Sequence, residues 1–169
     1  MDKIKIAIII ILVVAVTFAV AAGAFYLKRR MSYHQTDSIT ACCYESGGGM
    51  NGEYLNAKVF VPDNGEVWMK YNYRYPIGTD KPDIETEYCI DDEAIEKIRE
   101  VCKKYGVLGW GKLKVSEMVV LDGATEVIEL SFSDGSYYQV NTSLDLPDGG
   151  EKLFDEIFNI IKQYQQGDD

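Results

Sequence analysis

The chain has 169 residues, 47% of them hydrophobic, and a net charge of −10. Five of the 17 cations but only one of the 27 carboxylates precede residue 31, so residues 31–169 carry a net charge near −14. That sign argues against nucleic acid as a partner, because phosphate backbones repel an acidic surface. Those 139 or so residues suffice for one domain with its own core.

A membrane anchor is predicted at the N-terminus. Residues 6–27 contain no charge, and 13 of these 22 residues are Ile, Leu, Val or Phe. A helix of that length is about 33 Å long, enough for a hydrocarbon core of about 30 Å. We therefore expect the lipid bilayer to be a partner through residues 6–27. The anchor segment with its flanking charges comprises residues 1–30.

Two other N-terminal signals compete with an anchor. Ala22-Gly23-Ala24 resembles the cleavage site of a signal peptide, but the apolar run is longer than the usual 7–15 residues and ends in Lys28-Arg29-Arg30. The sequence before Cys42 resembles a lipobox, yet it does not directly follow the apolar run. An uncleaved anchor is therefore favoured.

The basic residues on the two sides of the span nearly balance, so they do not decide its orientation. Lys3 and Lys5 precede the span, offset by Asp2, and residues 28–30 follow it. The very short N-terminal tail is typical of a signal anchor, which places the following domain outside the cytoplasm.

Behind a polar juxtamembrane linker, residues 31–37, the pattern of residues 38–169 predicts strands before a first helix. Alternation predicts that Ile39, Ala41 and Cys43 share one strand face. Further strands are predicted at 55–61, 67–75 and 84–90. In the third, Val67, Met69 and three tyrosines (Tyr71, Tyr73 and Tyr75) share the core face.

The first predicted helix follows Asp91 and Asp92, which suit its N-cap, and ends at Gly106. Its apolar stripe contains Cys102, at a spacing of three and four residues from its neighbours.

Three more strands, at 112–120, 125–132 and 137–141, precede a terminal helix with a stripe from Leu153 to Tyr164. A three-residue loop at 133–135, with Gly135 left-handed, matches Leu130 with Tyr138. The fold class is therefore α+β: an N-terminal transmembrane helix followed by an antiparallel sheet of about seven strands, with two helices packed on it.

No catalytic constellation, cofactor site or metal site is predicted. His34 is the only histidine and belongs to the linker. The four cysteines lack the spacing of a zinc site, and their apolar neighbours suggest small buried side chains, with a disulfide as the alternative. The acidic pairs Asp80/Asp83 and Asp145/Asp148 lack an EF-hand loop and indicate solvated loops.

A partner-binding surface is the one functional site that the pattern indicates. Trp68 alternates onto the same face as Lys70 and Arg74, so either a helix covers it, which we favour, or it is available to a partner. The flexible loop Gly47, Gly48 and Gly49 is a second candidate for contact, although a wide hairpin loop is the simpler interpretation.

Several short motifs form a series after the anchor: Trp110-Gly111, Ser131-Phe132-Ser133-Asp134-Gly135, and a step from Asn141 to Pro147 into the terminal helix. The series resembles uncharacterised membrane-anchored or secreted α+β domains of Gram-positive bacteria, over residues 38–165. The resemblance implies a location at the bacterial cell surface and no particular activity.

The expected function is that of a single-pass protein displaying a non-enzymatic interaction or sensing domain, with an unknown protein partner. Two alternatives remain: an enzyme using acidic residues, with or without a divalent metal, and an assembly subunit completed by a partner strand.

The intact chain should fractionate with membranes and resist carbonate extraction, because residues 6–27 are uncharged. A fragment of residues 31–169 should stay soluble and monodisperse. Recovery from the medium of a mature chain beginning at Phe25 would instead establish a cleaved signal peptide.

Overall fold

The computed structural model describes residues 35–47, 52–111, 113–114 and 125–165. The chain divides into two compact units, Met1–Gln35 and Thr36–Asp169. The predicted anchor at 6–27 and His34 lie outside the described residues. Within the described ranges, no helix is long and apolar enough to cross a membrane.

Six strands form one antiparallel sheet in the second unit. They are β1 (Ile39–Gly47), β2 (Tyr54–Phe60), β3 (Val67–Arg74), β4 (Ile84–Ile90), β5 (Thr125–Phe132) and β6 (Tyr137–Asn141). Their order across the sheet is β4-β3-β2-β1-β5-β6, so β1 and β2 lie at its centre. Two helices complete the unit, α1 (Glu93–Lys104) and α2 (Gly150–Tyr164).

Both helices pack on the same face of the sheet. The core combines their apolar stripes with alternate residues of the strands, including Val67 and Met69 of β3. Tyr44 of β1 stacks on Phe158 of α2 with ring centroids 5.4 Å apart. The predicted α+β class and the core face of β3 are therefore confirmed.

A β-bulge at the start of β1 changes which side chains of that strand point towards the core, so the prediction for β1 is wrong. The register with β5 shifts between Ile39 and Ala41, so Thr40 is an extra residue and alternation restarts after it. Cys42 and Tyr44, rather than Ala41 and Cys43, then point towards the helices, and both are buried. Strict alternation fails here because a bulge adds a residue that the pattern does not reveal.

The ends of α1 are as the sequence predicts. The Asp91 carboxylate accepts a hydrogen bond from the backbone N–H of Glu93 at 2.8 Å, which satisfies one of the unpaired donors of the first turn. Gly106 follows the helix in the left-handed conformation, with φ of 60°. The side chain of Arg99 joins α1 to the sheet by donating to the Ile39 carbonyl at 2.6 and 3.1 Å.

The hairpin of β5 and β6 has the predicted register. Leu130 pairs with Tyr138, and Ile128 pairs with Val140. Gly135 has φ of 81°, a region that glycine enters without steric cost. The three-residue loop is confirmed, and it keeps Ile128, Leu130, Tyr138 and Val140 on the core face.

The described residues contain six strands where about seven were predicted. Most of the missing strand, 112–120, lies outside the described residues, and its described part, 113–114, is not strand. Both edges of β5 are occupied, one by β1 and the other by β6. The Lys114 carbonyl instead accepts a hydrogen bond from the backbone N–H of Asp145 at 2.8 Å.

Thiol accessibility should follow this packing. Cys102 is buried, as predicted, and burial raises the pKa of its thiol to about 12, so the reactive thiolate is absent near neutral pH. Cys89 is exposed. We expect Cys89 to be alkylated in the native protein and Cys102 only after unfolding, as mass spectrometry of trapped peptides would show. Rapid native alkylation at Cys102 would contradict this packing.

Candidate interaction surface

The sheet face opposite the helices, here called the open face, is covered by neither α1 nor α2. Cross-strand pairing arranges its side chains in rows that run from β4 to β5. The first row comprises Cys89, Trp68, Phe60, Ala41 and Ser131. The second comprises Glu87, Lys70, Lys58, Cys43 and Glu129. A strand spacing of about 4.8 Å makes neighbours in each row touch.

Trp68 and Phe60 form the apolar centre of the first row. They are directly paired across β3 and β2, and both are half-buried. The indole nitrogen of Trp68 is enclosed, yet among the described residues it has no hydrogen-bond partner. A buried donor without an acceptor costs about 1–3 kcal/mol. The unpaired indole N–H of Trp68 therefore destabilises the described unit.

Charges of both signs surround that apolar centre. Lys70 pairs with Glu85 of β4 at 3.3 Å. Lys58 is exposed, its ammonium lies 5.6 Å from the centroid of the Phe60 ring, and it makes no ion pair with a described residue. Lys58 and Lys70, on β2 and β3, thus lie between carboxylates on β4 and Glu129 on β5.

Gly47 and Arg74 lie at the other end of the open face, in one row with Tyr54 between them. Arg74 pairs with Asp83 at 3.5 Å and lies over the Tyr54 ring, 6.0 Å from its centroid. A Cβ on Gly47 would come within 2.8 Å of the Tyr54 ring, so glycine is required beside that side chain. Gly48 and Gly49 lie outside the described residues.

The predicted site residues Trp68, Lys70, Arg74 and Gly47 therefore share one face of the sheet, with Trp68 and Arg74 about 20 Å apart at 3.3 Å per residue. The preferred explanation for Trp68, a covering helix, is wrong for α1 and α2, because both lie on the opposite face.

Sequence reasoning missed the neighbours that these residues acquire from other strands. They are Phe60, Lys58, Ala41, Ser131, Glu129 and Cys89. Alternation along β2 could have placed Phe60 and Lys58 on the non-core face. That Phe60 contacts Trp68 depends on strand pairing, which no local pattern supplied.

Cys43, one of the two cysteines on this face, is held in its thiol form. The pKa of Cys43 is raised to about 11, first by burial and then by the nearby Glu45 carboxylate. Asn56 offsets part of the rise by donating to its sulfur at 3.5 Å. A thiol with that pKa is protonated near neutral pH and is a weak nucleophile. Cys43 therefore has the character of a packing residue.

No three acidic, cysteine or histidine side chains converge as a metal site within the part of the chain that the structure describes. Asp83, from the acidic pair near residue 80, is engaged by Arg74. Tyr44 donates a hydrogen bond to Glu126, and burial raises the pKa of Tyr44 above its ordinary value. These contacts link side chains of the domain to one another and do not form an acid–base pair facing a cleft.

Comparison with known proteins adds no assignment: no protein-family model matches this chain, and no curated protein sequence matches it either.

Substitutions at two adjacent positions of β3 should have different effects on the free energy of unfolding, because the two side chains lie on opposite faces of the sheet. Met69 is fully buried towards the helices, so Met69→Ala should lower the free energy of unfolding by about 2–5 kcal/mol. Trp68→Ala should cost less than about 2 kcal/mol, because neither described helix covers that side chain. Chemical denaturation of both variants gives the two values. A loss of 3–5 kcal/mol for Trp68→Ala would show that the rest of the chain covers it.

Proposed function

We propose that this chain is a single-pass membrane protein whose α+β unit is a non-enzymatic interaction or sensing domain displayed outside the cytoplasm. The uncharged run at residues 6–27 supports the anchor, and the short tail before it supports the orientation. The resemblance to anchored or secreted bacterial domains is consistent with that location. The open face is the proposed binding surface.

The observation that carries the proposal is the combination of residues on the open face. Trp68 and Phe60 lie side by side, with Lys58 and Lys70 in the adjacent row. An aromatic centre surrounded by polar and charged side chains is the usual composition of a protein-binding patch. A partner would bury the exposed parts of both rings.

The enzyme alternative has less support on the described residues. Burial raises the pKa of the thiols of Cys42, Cys43 and Cys102, which disfavours thiolate chemistry near neutral pH. The carboxylates of the open face lie beside cations, as Glu85 does beside Lys70. Such pairing suits a binding surface better than acid–base catalysis.

Completion of the sheet by a partner strand is also less favoured. β4 is an outer strand of the sheet, so one of its edges is available for pairing. However, Glu85 and Glu87 are exposed on it, and charged side chains are a common device against pairing at an edge. The open face, with its aromatic pair, is the better candidate.

Photocrosslinking in intact membranes tests the proposed surface. A photoreactive phenylalanine analogue at Lys58 should crosslink the full-length protein to a protein partner, and an added Trp68→Ala substitution should abolish the product. The same analogue at Lys152, an exposed residue of α2, is the control and should give none. Equal crosslinking at both positions would contradict a specific role of the open face.

The orientation is tested in the same cells. A membrane-impermeant maleimide added to intact cells should label a cysteine introduced at Lys152, an exposed position of α2 outside the open face, if the domain lies outside the cytoplasm. Labelling only after lysis would reverse the proposed topology.

A further inference from the structure

The open face has a tall half and a shallow half. The tall half comprises Phe60 and Trp68 in the first row, Lys58 and Lys70 in the second, and Tyr54 and Arg74 at the far end. The shallow half lies on β1 and β5 in the same rows and comprises Ala41, Ser131, Cys43, Gly47, Thr125 and Glu129. Apart from Glu129, the residues of these rows are small, whereas the intervening row on the same two strands, Glu45 and Val127, carries larger side chains.

We propose that the occupant of the open face is a second copy of this chain, packed face to face about a twofold axis that runs along the strands between β1 and β2. The proposal deepens the proposed function, on which it rests, by naming the partner. Such an axis exchanges β2 with β1 and β3 with β5, since these strands lie symmetrically about it in the sheet. Two sheets stacked in this way pack about 10 Å apart with their strands within about 30°.

Shape complementarity follows from that exchange. Phe60 of each copy lies over Ala41 of its partner, and Trp68 lies over Ser131, so large side chains face small ones in both directions. Tyr54 likewise faces Gly47. A twofold interface requires this kind of self-complementary patch.

Charge complementarity follows as well. The same axis places Lys70 of one copy opposite Glu129 of the other, twice per dimer. An axis centred between β2 and β3 would instead place Lys58 of one copy opposite Lys70 of the other, and this repulsion costs free energy. The axis between β1 and β2 avoids that repulsion.

The available area is sufficient. Six strands about 4.8 Å apart, with an average length of about 24 Å, offer about 600 Å² per copy, or about 1,200 Å² in total. That total lies at the lower end of the range for specific protein interfaces. Attachment to a membrane would raise the effective concentration of the two copies.

The proposal is tested by reversing charges in the full-length protein in detergent. Dimerisation of each variant is measured by sedimentation equilibrium. Lys70→Glu and Glu129→Lys should each weaken dimerisation about tenfold or more, and the double variant should restore it. In one chain the two residues are three strand spacings, or about 14 Å, apart, so an ion pair within the chain cannot account for the rescue. Absence of rescue would overturn this alignment.

Two controls keep the result specific. Glu93→Gln removes an ion pair with Lys97 on α1, away from the open face, and should leave dimerisation unchanged. Ser131→Trp fills the shallow half and should abolish the dimer, whereas Ser133→Trp, in the exposed hairpin loop, should not. Melting temperatures of all variants identify any that fail to fold.

The outcomes also separate this inference from the proposed function. A wild-type chain that stays monomeric at every concentration, but crosslinks from position 58 to a different protein in a Trp68-dependent manner, overturns the homodimer and retains the interaction surface. A monomer with no Trp68-dependent crosslink overturns both. A crosslinked species of twice the mass of the chain, lost in Ser131→Trp, supports both.

Discussion

The packing of both helices against one face of the sheet is the constraint on which the rest of this unit depends. Met69 of β3 and Tyr44 of β1 lie in one core with the stripes of α1 and α2. Because a strand sends alternate residues to opposite faces, every residue buried there leaves its neighbours on the other side. The open face is thus the necessary counterpart of the core.

The bulge at the start of β1 controls what that open face contains. By adding Thr40, it turns Cys42 towards the helices and leaves Ala41 and Cys43 on the outer side. Without it, the larger Cys42 and Tyr44 side chains would occupy the central strand of the open face. The bulge therefore makes the β1 half of that face shallow, next to the aromatic pair on β2 and β3. A local irregularity of one residue sets the shape of a whole surface.

The open face also has a pattern of charged side chains. The chain is strongly acidic as a whole, yet the open face carries Lys58, Lys70 and Arg74 on two adjacent strands. These cations stand between acidic strands, and two of them pair with carboxylates on the β4 side. In the proposed dimer, attraction between aligned stripes has to offset the repulsion between two acidic chains.

Local patterns in the sequence determined most of the secondary structure, because helix and strand periods, caps and turn glycines act over a few residues. They predicted α1 with Cys102 inside, the register of β5 with β6, and the common face of Trp68, Lys70 and Arg74. Only the tertiary structure decided the inward turn of Cys42, the occupation of both edges of β5, and the side of the sheet on which the helices pack. These features depend on pairing between distant strands, so the contact of Phe60 with Trp68 has no local signature.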